Sequence, residues 1–201
     1  TSVGLGTEYV EAGGTAAETD ILDGGILVVR GLATSAAVEA GGQLKVSAGG
    51  SSEAGTVRAG GTAYVLNGGV AEHLLVQAGG TLITCAGAII VAPTVLGYEV
   101  VGANDPTVSA HVRSGGVLDV QSGGEADGTI VDSGGVLVVQ PGSVLTGTVV
   151  APGGVVVSAG VVVARAAGTV QTYTDAASAM ALSAADTALV LQSGTATGLV
   201  V

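Results

Sequence analysis

In the stretch VLNGGVAEHLLVQAGG, residues 65–80, Glu72 and His73 stand side by side among apolar and small residues. A carboxylate beside an imidazole is a pair able to move protons near neutral pH. Along an extended chain, however, adjacent side chains leave on opposite sides, so neighbours in sequence need not share a site. Glu53 lies nineteen residues before Glu72, and Asp127 has the same place in its own stretch, EADGTIVDSGG. On stacked strands Glu53 and Glu72 would lie about 5 Å apart, which suits either a weak cation site or a row of solvated like charges. His111, the other histidine, falls at a different offset from His73, and Arg58 and Arg113 share an offset but have Gln77 and Leu96 between them. Cys85 is the single cysteine, so there is no disulfide framework and no cysteine cluster for zinc. No Gly-x-Ser-x-Gly elbow, phosphate loop, His-Glu-x-x-His or Gly-Gly-x-Gly-x-Asp calcium repeat occurs. These residues assemble no catalytic constellation, and no enzyme, cofactor or metal site is expected.

Composition narrows the partners. The 201 residues carry a net charge of −11 with only five Lys and Arg, so a phosphate backbone would be repelled and nucleic acid is excluded. Hydrophobic residues make up 48%, yet there are four Tyr and no Phe or Trp, while glycine fills 36 positions. A core built from Val, Ala, Leu and Ile must be narrow and regular. The charge-free runs 74–98 and 133–164 are long enough to cross a bilayer, but glycine and proline turns interrupt both, so no membrane span is expected. The chain opens at Thr1 without a charged-then-apolar leader, so any signal peptide is expected to have been removed or to lie outside this chain.

The elements that must position these side chains are set by a repeat. Glycine pairs begin at Gly41, Gly49, Gly60, Gly68 and Gly79, and again at Gly115, Gly123 and Gly134, in steps of 8 and 11 that sum to 19. Units starting at Val10, Val46, Val65, Val120 and Val139 fit this frame. Degenerate units start at Leu27, with Arg30-Gly31 for the first pair, at Thr84, with Tyr98-Glu99 for the second, and at Val101, with Asn104-Asp105. Eleven residues after each start stand Ile21, Val38, Val57, Val76, Val95, Val112, Val131 and Val150, all β-branched. Leu44, Ala63, Leu82, Leu118, Leu137 and Val156 form a second apolar column, and runs such as Leu118-Asp119-Val120 alternate with period 2, as half-buried strands do. Tyr64, between Ala63 and Val65 of the inward columns, is expected to face outward.

Nineteen residues cut twice by glycine turns are too few for a helix pair and suit one rung of an all-β, single-stranded parallel β-helix. At about 4.8 Å per rung, eight to ten rungs make a rod on the order of 40 to 50 Å long. Residues 1–160 are expected to form the repeat region. Residues 161–201 are expected to form irregular rungs or a C-terminal cap of the same solenoid; within them 173–191 is Ala-rich and reads as irregular strands or a short helix after Asp175.

The strand, Gly-Gly loop and strand of TVRAGGTAYVLNGG, residues 56–69, and TIVDSGGVLVVQPG, residues 129–142, resemble the repeat of AIDA-type autotransporter passengers. The likeness covers about residues 10–160. It implies a right-handed solenoid, secreted to the bacterial cell surface, that mediates adhesion or self-association, as in biofilms. The partners would then be a second copy or host or bacterial surface glycans or proteins. It also implies O-heptosylated serines, and by position Ser114, Ser122 and Ser133, each just before a Gly-Gly, are acceptors or else only polar turn residues. Two other functions stay open on the residues alone: end-to-end stacking into an extracellular filament or layer, and a carbohydrate-active β-helix, which would need a groove with convergent carboxylates.

Overall fold

The computed structural model describes residues 1–174, 176–178, 181–182 and 186–197. All its regular structure is strand, and the first 157 residues wind as a three-sided parallel solenoid. One rung shows the construction. Thr62–Val65 lies on one face, Val70–Glu72 on the next and Leu75–Val76 on the third, before Thr81–Thr84 begins the rung stacked on the first. Ala63 pairs in register with Leu44 on one side and Leu82 on the other, the 19-residue step of the sequence. Nine strands stack on each of two faces and eight on the third, all parallel.

Two corners of each ordinary rung are the glycine turns. In Leu66–Gly69 the Gly69 amide donates to the Leu66 carbonyl at 2.8 Å, and Gly68 takes φ 72°, open to glycine at little strain. The second glycine has a separate reason: a Cβ on Gly69 would lie 2.6 Å from the Val46 carbonyl oxygen of the adjacent rung. The pair thus answers two demands, one of backbone dihedral and one of spacing between rungs.

The third corner has no glycine pair. There a single left-handed residue turns the chain: Glu18, Ser35, Ala54, His73, Ala92 and Ser109 have φ between 49° and 55°, and Gly128 and Gly147 complete the series. The residue after it turns inward, as Ala36, Leu74 and Ala110 do.

The expected β-branched column is the core of the two-residue face: Ile21, Val38, Val57, Val76, Val95, Val112 and Val131 are fully buried, while Val150 in the last rung is 43% exposed. Two registers differ from the sequence expectation. Leu27 pairs with Leu44, so the unit placed at Leu27 starts at Val29; its missing residues were removed from the Arg30-Gly31 corner, downstream of the strand. Tyr98 and Glu99 lie on strand Tyr98–Val101, paired with Thr81 and Leu82, and the shortened corner is Leu96-Gly97. Asn104 does stand in for a turn glycine, with φ 61°.

After Ser158 the chain leaves the stack. Val161–Ala164 pairs antiparallel with Val170–Tyr173 and Thr187–Val190, and Ala176–Ser178 pairs with Thr195–Thr197. Val162 and Ala164 pack on Val117, Val136 and Val138, outward residues of the solenoid's four-residue face. The described part of 161–201 therefore covers a side of the rod, and Val149, Val150, Val155 and Val156 at its end stay exposed. No helix occurs among the described residues; Asp175 and part of the Ala-rich run lie outside them.

Candidate functional site

The outward chemistry is organised by edges and faces. Ser114 and Ser133 are exposed and occupy the second position of the turns Arg113–Gly116 and Asp132–Gly135, on the same edge of consecutive rungs. The backbone joins them, Gly115 donating to the Gly134 carbonyl at 2.9 Å. Ser122 is also exposed but belongs to the other glycine edge, in the turn Gln121–Gly124. Each hydroxyl lies over a glycine of the adjoining rung: a Cβ on Gly134 would sit 2.7 Å from Ser114 Oγ, and one on Gly142 would sit 2.9 Å from Ser122 Oγ. Ala40, Ala48 and Ala59 take the same place in other rungs, and Asn67 there donates from its Nδ2 to the Ala86 carbonyl at 2.7 Å.

Glu53 and Glu72 stack in register on adjacent strands, as their spacing required, with both side chains outward. Asp127 is in the same row, separated from Glu72 by Val91 and Val108. Among the described residues no three His, Cys, Asp or Glu gather to hold a metal ion. His73, with φ 54°, is an exposed corner residue, whereas His111 Nε2 lies 3.2 Å from Asp132 Oδ2 in the neighbouring rung. Arg58 pairs with Glu39, and Arg30 with Glu11 at 3.1 Å, both across adjacent rungs at exposed sites. Such exposed pairs contribute little stability, about 0 to 1 kcal/mol each.

The long-strand face differs along its length. Near the N-terminal end Tyr9 and Tyr64 share an outward column, with Arg30 and Lys45 each 5.9 Å from a ring centroid. Further on, Tyr98 lies under the C-terminal strands and donates from its hydroxyl to Asp119 at 3.0 Å. Burial first, then the charge and hydrogen bond of Asp119, push the Tyr98 phenol up. Gln140 Nε2 donates to the other Asp119 oxygen at 2.9 Å.

Sequence reasoning missed a polar layer inside the core. Glu99 is fully buried in the column otherwise held by Leu82 and Leu118. Thr107 Oγ1 donates to Glu99 Oε1 at 2.9 Å, while Oε2 has no partner. Burial raises the Glu99 pKa to about 7, with the Thr107 hydrogen bond pulling the other way. Buried Asp105 accepts from Thr84 Oγ1 at 2.7 Å and from the Ala88 amide at 3.3 Å. Half-buried Cys85 has its thiol pushed up, first by burial and then by Asp105. The available signal was the column itself: aligning the 17-residue rung on its strands places Glu99 over a leucine.

Among the described residues, the grooves beside the C-terminal strands gather no carboxylate pair. One, lined by Gln140, Pro141, Ser143, Ser158, Gln192 and Ser193 among others, has no titratable side chain. Another, near Gly60 and Gly79, contains Asp186, which is paired with Arg165 at 3.1 Å. No helix among the described residues is long and apolar enough to cross a membrane, which says nothing of β-barrels.

Residues 108–154 match the family model described as an adhesin of the bacterial autotransporter system, probable stalk. Six chains of solved structures match. One is the crystal structure of the TibC-catalyzed hyper-glycosylated TibA55-350 fragment, 29% identical with a TM-score of 0.57 over 75% of this chain. The present chain spans 63% of that fragment. Comparison with curated proteins finds no match.

Proposed function

We propose that the repeats are those of AIDA-type autotransporter passengers, supported by the match over residues 108–154 and the likeness to the TibA fragment, and that this segment is a length of adhesive rod displayed on a bacterial cell surface, associating with copies of itself. One observation carries the reading. On the two- and three-residue faces the outward positions stay in register over eight rungs, so weak contacts to successive rungs fall at about 4.8 Å intervals along the rod. Weak contacts linked in this way add into avidity. Surface glycans or proteins would be held by the same repetition, and no step of catalysis is assigned.

Sedimentation of the purified chain and settling of cells displaying it test the proposal. Concentration-dependent lateral dimers together with cell clumping are expected. A strict monomer whose display leaves cells dispersed would overturn self-association, and retention on a glycan or host-protein surface would then favour the other partners.

Glycosylation belongs to the same proposal. The similar fragment is described as hyper-glycosylated, and Ser114, Ser122 and Ser133 are exposed turn apices with room outward. Coexpression with a heptosyltransferase should add heptose mass that falls stepwise when the three serines are changed to alanine. Undiminished addition in the triple variant would place the acceptors elsewhere.

A second reading, end-to-end stacking, is favoured by the exposed Val149, Val150, Val155 and Val156 and the open strand edge of the last rung. Long fibres in electron micrographs would support it over lateral pairing.

A further inference from the structure

The polar layer is a break in an otherwise apolar interior. An ordinary rung turns inward Ala63, Val65, Ala71, Leu74 and Val76, while the layer holds Glu99, Asp105 and Thr107, with Thr84 from the adjacent rung. The buried apolar residues divide there into one cluster reaching Ile90 and another beginning at Val101. The same rung is joined to its predecessor through the shortened corner Leu96-Gly97. A carboxyl with one oxygen unpartnered, in a space built for leucine, is tolerated as the neutral acid and strongly opposed as the anion.

We propose that this layer is a pH-sensitive joint: protonated Glu99 keeps the two apolar stacks closed on one another, and its ionisation opens the rod locally between them. No counter-charge holds the anion in place. The inward residues of the strands stacked against Glu99 are Leu82 and Thr84 on one side and Leu118 and Val120 on the other, and none is charged. On the flanking faces Ile90, Val95, Thr107 and Val112 face inward. The titratable groups of these elements lie elsewhere: Asp119 with Tyr98 on the outer face, His111 with Asp132, Glu125 and Asp127 exposed. Asp105 is engaged by Thr84 and Ala88, and Cys85 lies at the corner before them.

The direction follows from linkage. The folded-state pKa of Glu99 is raised to about 7 from an ordinary 4.5, so its contribution is fully present below the ordinary value. It is lost as pH rises from there through the folded value. Above that, ionised Glu99 favours the open form.

Amide hydrogen exchange, corrected for the intrinsic base dependence, reads the joint directly. The Tyr98 and Val117 amides, which bond to the Gly80 and Gly97 carbonyls across rungs, report on it; Thr62 and Leu66, bonded to Gly42 and Val46, report on the stack before it. Between pH 5.5 and 7.5 the opening constant at the joint should rise about 20-fold, at a limit of tenfold per pH unit. Thr62 and Leu66 should change little. Glu99→Leu should abolish the rise, and Glu99→Gln, which keeps the size and one hydrogen-bonding oxygen, tests the same point if the leucine variant fails to fold. Unchanged protection at Tyr98 and Val117 over this range, the same rise in Glu99→Gln, or an equal rise at all four amides would overturn the proposal.

Discussion

The rung built on Thr62–Val65 and the rung built on Tyr98–Val101 have the same three strands and the same corner residues in left-handed conformation, His73 in one and Ser109 in the other. They differ in what they bury. The first repeats small and branched apolar side chains whose columns continue above and below; the second places a carboxyl in the leucine column. The solenoid continues through the polar rung, where the strands at Glu99 stay in register with those beside it and Val101, Ala110 and Val112 still face the core.

Moving the carboxyl should give the largest effect. Leu82→Glu would bury an acid one rung earlier, where the inward residue of the three-residue face is Ile90 and not a threonine. A loss on the order of 4 kcal/mol or more at pH 8 is expected, read as a fall in the denaturant midpoint. Equal stability of Leu82→Glu and the unaltered chain would mean that position 99 is not special and that any rung of this rod accepts a buried acid.

Much of the fold was legible because its demands are chemically narrow. Turns with positive φ select glycine, and a one-sided strand selects alternation, so both glycine edges and the column from Ile21 to Val131 could be read from residue types alone. The third corner was not legible, because one left-handed residue there is Glu, Ser, Ala or His with no shared type. Tyr98 and Glu99 were misplaced because two residues are missing at Leu96-Gly97, and counting from Thr84 carried the frame into the next strand. The docking of the C-terminal strands left a trace that went unread. In Val136–Val139 every residue is apolar, the mark of a strand covered on both faces, whereas Thr62–Val65 alternates. The exposed serine apices were legible by position, because the residue before a turn glycine must lie at the tip.

The shortened corner sharpens the contrast in backbone terms. A Cβ on Gly97 would collide with the Gln77 and Gly80 carbonyl oxygens, whereas at Gly68 the nearest atom to a Cβ is Ala48 Cβ at 3.3 Å, leaving positive φ as the main objection. Gly97→Ala should therefore cost about 2 kcal/mol or more and Gly68→Ala about 1 kcal/mol. Comparable thermal midpoints for the two variants would mean that crowding by neighbouring carbonyls at Gly97 costs no more than positive φ at Gly68.

A smaller effect separates the carboxyl from its partner. Thr107→Val keeps the shape and removes the hydrogen bond to the Glu99 carboxyl, leaving both of its oxygens without a partner among the described residues. A loss of about 1 to 2 kcal/mol is expected. Because that bond lowers the Glu99 pKa, its removal should raise the pKa further and carry the pH-dependent fall in stability to higher pH. Melting curves from pH 5 to 9 would show it, and a window that stays in place or moves downward would mean that the hydroxyl does not act on the titrating form.

The smallest effect concerns the residue that first suggested chemistry. His73 turns the third corner at φ 54°, and its equivalents in other rungs include Ser35, Ala54 and Ser109, so the backbone conformation is what the position requires. His73→Gly exchanges relief of left-handed strain for greater freedom of the unfolded chain, two terms of about 1 kcal/mol that oppose each other, so its midpoint should barely move. His73→Val puts a β-branched residue at the same φ and should lose about 1 to 2 kcal/mol. On the proposed self-association, cells displaying His73→Gly should clump to the same degree as cells displaying the unaltered chain, because the column geometry is kept although the imidazole is lost. Loss of clumping with an unchanged melting curve would return His73 to the contact surface and make this corner, in an otherwise ordinary rung, the exceptional one.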